Sequence, residues 1–179
     1  HFERNLRDIL GVIRRARAKA VVCSVASNIE DCAPFASLHS AGLDEADRSL
    51  WTEAFGRGVE RQQAGDCAAA AAQFARAAEL DGAHADLHFH LAQCLARLGA
   101  GEEAARHFTA ARDLDALHFR ADSRINDIIR RVASERPDAE VAFFDAEAAI
   151  RGEPGLDRTA FYEHVHFTFE GNYALARAL

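Results

Sequence analysis

Over residues 2–17, apolar side chains recur every three or four positions, and Phe2, Leu6, Ile9, Leu10 and Ile13 fall on one face. That spacing predicts an amphipathic helix. The period then changes. Residues 19–28, KAVVCSVASN, are a β-branched run with a polar end, which predicts a buried strand near 20–27. Alanine-rich helical patterning fills the middle of the chain. Beyond it, Ile125, Ile128, Ile129 and Val132 mark another helix, Pro137 breaks it, and Val141 to Phe144 read as a second strand ending at Asp145. A loop and a last helix close the chain. Helix, strand, insertion, helix, strand, loop and helix predict an α/β fold with parallel strands, whose exit loops gather at one edge where sites form.

The insertion repeats itself. Gly65, Ala70, Phe74, Ala77, Leu80 and Asp81 recur as Gly99, Ala104, Phe108, Ala111, Leu114 and Asp115, each pair offset by 34 residues. Small residues at Gly58 and Ala92 let paired helices approach, Gly65 and Gly99 free the turns, and Phe74 and Phe108 fill the space between units. Residues 51–84 and 85–118 resemble two tetratricopeptide repeats (TPRs), each a helical hairpin. The resemblance implies a concave face for a protein or peptide partner, with Phe55, Val59, Phe89, Gln93 and Arg97 among the positions that line it. The family's Lys, Arg and Asn clamp for a peptide carboxylate is absent there, so no ligand is named.

Charge narrows the partners. The net charge is −7 and the basic residues are scattered, so a nucleic-acid surface, which needs concentrated cations, is not expected. No apolar run is long enough to span a bilayer. The four cysteines form no CxxC pair and no finger spacing. His1 is no natural start and the chain stops within a helical pattern, so it is expected to be part of a longer protein, with its localisation undetermined.

The chemistry concentrates at residues 161–172, FYEHVHFTFEGN. Glu163 and His166 stand at the spacing of an orienting acid and a general base. His164 and His166 could also present two imidazoles to a metal, and the stretch could simply cap the last helix. No third ligand stands at recognisable spacing, so neither a metal nor a cofactor is expected.

The pattern Glu163-x-x-His166-Phe-Thr-x-x-Gly171-x-x-x-x-Ala176 resembles the last sequence block of SGNH/GDSL-type hydrolases. The helix with Arg124, Asn126 and Ala133, the strand ending at Asp145 and the run VVCSVASN are similar to other parts of that family. The resemblance implies a flavodoxin-like parallel α/β sheet over 1–45 and 118–179, interrupted by an all-α insertion of two TPR-like hairpins over 46–117. It implies His166 as general base and Glu163 as its orienting acid, although aspartate is usual there. It also implies a serine nucleophile upstream of Phe2, and Ser24 and Ser27 are in the wrong place for that serine. Asn28, Ser37 and His39, just past the first strand, could line the pocket for an ester-bearing substrate. The alternative is a TPR interaction module on a non-catalytic domain.

Overall fold

The computed structural model describes residues 1–135, 141–152 and 159–179. The break assigned to Pro137 lies outside the described residues. The chain divides into two compact units, one of residues 1–28 and 120–179, the other of residues 29–119.

In the first unit, α1 (Phe2–Ala16), β1 (Ala20–Cys23), α6 (Ser123–Ser134), β2 (Val141–Phe144), α7 (Ala146–Gly152) and α8 (Phe169–Ala178) follow one another around the insertion. Burial of Leu10 against Val132 and Val141 joins α1, α6 and β2. Ion pairs reinforce α1 on α6 at the surface. Glu3 accepts from both Arg131 nitrogens at 2.9 and 2.8 Å, and Arg7 pairs with Glu135.

The expected α/β sheet is a correction. The described residues hold eight helices and only two strands, β1 and β2, paired in parallel from Ala20–Val141 to Cys23–Phe144. There is no substantial parallel sheet core among them. The strand reading of VVCSVASN runs too far because side chains take over the backbone groups beyond Cys23. Asn126 Oδ1 accepts the Val25 N–H at 2.8 Å, and its Nδ2 donates to the Val25 carbonyl at 2.9 Å. A side-chain amide thus satisfies the peptide groups that a neighbouring strand would otherwise bond. Ser24 Oγ donates to Asp145 at 2.7 Å and accepts the Glu147 N–H at 3.0 Å, tying the ends of both strands together. Arg130 braces the same corner through Asp145 and Glu147, and holds the Asp145 carboxyl well below the usual carboxylate range.

The second unit contains α2 (Glu45–Gln63), α3 (Cys67–Leu80), α4 (Ala85–Arg97) and α5 (Gly101–Asp113), two hairpins in series. Gly65 and Gly99 make the turns at φ +81° and +80°, a left-handed conformation open to glycine. Phe74 is fully buried, with Phe55 and Ala77 beside it. This unit reaches beyond the expected 46–117, because residues 29–44 are held to the hairpins by two aspartates 34 positions apart. Asp81 accepts from His39 Nδ1 at 2.7 Å, Ser40 Oγ at 2.6 Å and the Ala83 N–H at 3.0 Å. Asp115 accepts the N–H groups of Phe35, Ala36 and Leu117 at 2.9, 3.1 and 3.1 Å. Burial alone would raise the Asp81 carboxyl, but these donors hold it at about 2.

Candidate functional site

The loop bearing Glu163 and His166 is closed by its own backbone. Phe161 and Phe167 form an antiparallel bridge with their rings stacked at 4.6 Å, and the Tyr162 N–H bonds the His166 carbonyl at 2.9 Å. At the exit, Thr168 caps α8 by accepting the Gly171 N–H at 3.1 Å, and its hydroxyl donates back to the Thr159 carbonyl at 2.7 Å. Gly171 lies so close to the loop that a Cβ there would sit 2.2 Å from the Ala160 carbonyl oxygen.

Within this frame Glu163 Oε1 accepts the His166 N–H at 2.8 Å and lies 2.5 Å from His166 Nδ1. The His166 and Val165 amides, with the His166 ring, hold the Glu163 carboxyl at about 2, so it is ionised at neutral pH. An ionised carboxylate only accepts, which places a proton on Nδ1 and turns Nε2 away from Glu163. The His166 side chain is 76% exposed, so the ring stands open to solvent. Glu163 Oε2 is also 3.7 Å from His164 Nδ1.

Asn28 belongs to the same unit. Its N–H bonds the His164 carbonyl at 3.0 Å, so the end of the segment after β1 is joined directly to this loop. An open cavity of about 380 Å³ lies in this unit, walled by Val25 and Ala26 after β1, by Phe144, and by Val165, Phe167 and Leu175. Ser24 also lines it, but that side chain is buried and engaged with Asp145 and Glu147.

Ser37 and His39 are in the other unit and have structural roles there. Ser37 Oγ accepts the Asp86 N–H at 2.9 Å, capping α4 from a distant segment, and His39 is bound to Asp81. Of the residues assigned to a partner surface, Phe89 is buried edge-to-face against Phe108, and Phe55 and Val59 pack on the hairpin core. Gln93 is half-buried and bonded to Gln62 at 3.0 Å, while Arg97 is exposed. His88 Nδ1 meets His107 Nδ1 at 2.8 Å between α4 and α5. Among the described residues no group of three His, Cys, Asp or Glu side chains is arranged to hold a metal ion, and no helix is long and apolar enough to cross a membrane.

Arg120 and Arg130 carried no periodic or motif signal of their bonds to Asn28, Asp145 and Glu147, and Asn126 stood out only through the resemblance, which says nothing of its bond to Val25. Comparison with family models, curated proteins and solved structures gives no match.

Proposed function

We propose that Glu163 and His166 are the orienting acid and general base of a Ser-His-acid ester hydrolase or acyl transferase, of which this chain is the C-terminal part. The observation that carries the reading is the 2.5 Å contact from His166 Nδ1 to Glu163, with the ring exposed beyond it. A base held in one tautomer and open on its other nitrogen is what proton abstraction from a serine hydroxyl requires. The apolar cavity beside Val165 and Phe167 would receive the non-reacting part of an ester. Ser24, buried and bonded to Asp145 and Glu147, is a poor candidate for the nucleophile. The SGNH/GDSL resemblance would place the serine in sequence preceding residue 1.

The test is ester hydrolysis by the longer polypeptide carrying this chain and by residues 1–179 alone. The longer protein should turn over and be blocked by a serine-directed reagent, while residues 1–179 should not. His166→Ala should lower kcat by roughly 10⁶-fold with the fold intact by circular dichroism. Glu163→Gln should cost less, because the amide oxygen still accepts from Nδ1. An active protein indifferent to His166→Ala would reduce the loop to a helix cap.

A second reading rests on the paired hairpins: residues 29–119 would serve as a TPR-like contact module for a protein or peptide. With Phe55, Val59 and Phe89 committed to the core, its contacts would come from exposed positions such as Arg97.

A further inference from the structure

The Glu163–His166 pair sits on a loop whose two ends are well anchored at Phe161–Phe167 and at Thr168. Its middle is tied to the segment after β1 by the bond from the Asn28 N–H to the His164 carbonyl. Asn28 is itself held from the other side. Arg120 Nη1 donates to the Asn28 carbonyl at 2.9 Å, across 92 positions of sequence. Both residues are buried, Asn28 at 6% and Arg120 at 5% exposure. A guanidinium donor makes this bond stronger than one between neutral groups. Both backbone polar groups of a single residue are thus used, one by a cation and one by the loop that carries the base.

We propose that Arg120 is a positioning residue for the Glu163–His166 pair, acting through Asn28. Its effect is to fix where Asn28 presents its N–H, and so where His164 and its two functional neighbours stand. Misplacing a catalytic group by about 1 Å can cost 10²-fold in rate, so an anchor one residue removed from the chemistry has a measurable effect. The inference rests on the hydrolase reading for its catalytic meaning, but its geometry can be read without turnover.

The experiment uses Arg120→Met, which keeps much of the buried volume and removes the donors, and Arg120→Lys, which keeps a charged donor. On residues 1–179, carbon-detected NMR follows the titration of the Glu163 carboxyl, a direct report on whether the loop still delivers its N–H donors. The Glu163 midpoint should lie near 2 in the parent chain, rise clearly in Arg120→Met, and return most of the way in Arg120→Lys. In the longer polypeptide, Arg120→Met should lower kcat roughly 10- to 100-fold with KM little changed. A folded Arg120→Met with an unchanged Glu163 midpoint would overturn the proposal. If circular dichroism shows that Arg120→Met does not fold, Arg120→Gln, which removes the charge and shortens the reach to the Asn28 carbonyl, decides. A midpoint shifted upward in the folded glutamine variant supports positioning, and an unshifted one overturns it. Absence of ester turnover in the unsubstituted polypeptide would sink the hydrolase reading alone, since the Glu163 titration would still report on Arg120.

Discussion

Glu163 draws donors from the residues that follow it, and each favours its charged form. Its carboxyl is held at about 2, below the ordinary 4.5. A depressed carboxylate pKa contributes order that is fully present above the unfolded value and is lost as pH falls through the folded value. The closed form of the loop should therefore persist at pH 5 and be lost between about 4.5 and 2. Amide shifts of Val165 and His166 across that range check this, and shifts that moved only above pH 5 would contradict it. The sequence made this pair legible because both partners lie within one turn of chain. It could not show that Ser37 caps α4 or that His39 belongs to Asp81. Those contacts join segments 49 and 42 positions apart, and no local pattern encodes which buried donor meets which acceptor.

At the scale of elements, α2 and α3 approach each other closely. A Cβ on Gly58 would lie 2.5 Å from the ring of Phe74, which is fully buried. Gly58→Ala should destabilise the hairpin unit by about 1–3 kcal/mol, measured by urea unfolding followed at the Trp51 fluorescence. A change below about 0.5 kcal/mol would show that the ring can shift at little cost. The hairpins were readable because a helical period and a 34-residue offset are both local regularities. The second strand was readable too, as a short apolar run after a break. What misled was the first strand's apparent length. Residues 24–28 have strand-like composition, yet Asn126 and Asp145 bond them through side chains. Propensity registers which residues suit a pleat and is blind to whether another strand is there to pair with them.

For the molecule as a whole, connectivity matters as much as composition. Residues 1–28 and 120–179 form one unit although 29–119 lie between them in the chain, so pairing β1 with β2 closes a long loop. The hairpins depend mainly on near neighbours in sequence, and such contacts form quickly. Once they have formed, Asp115 and the bond from the Ala116 N–H to the Ala36 carbonyl at 2.9 Å bring the two ends of the insertion together. The entropy still to be lost in pairing the strands then corresponds to a loop of roughly 40 residues rather than about 117, a saving of ~1 kcal/mol. The pair of aspartates thus sets an order of events: helices first, strands afterwards. In pulsed hydrogen exchange during refolding, amides of α2 to α5 should gain protection before those of Val22 and Phe143. Asp115→Ala should widen that delay while leaving the early helical phase in place. Simultaneous protection of helices and strands in both proteins would contradict this order. A clasp that looks static in the folded molecule would then act chiefly as a timekeeper, letting a chain with a large interruption assemble as if the interruption were shorter.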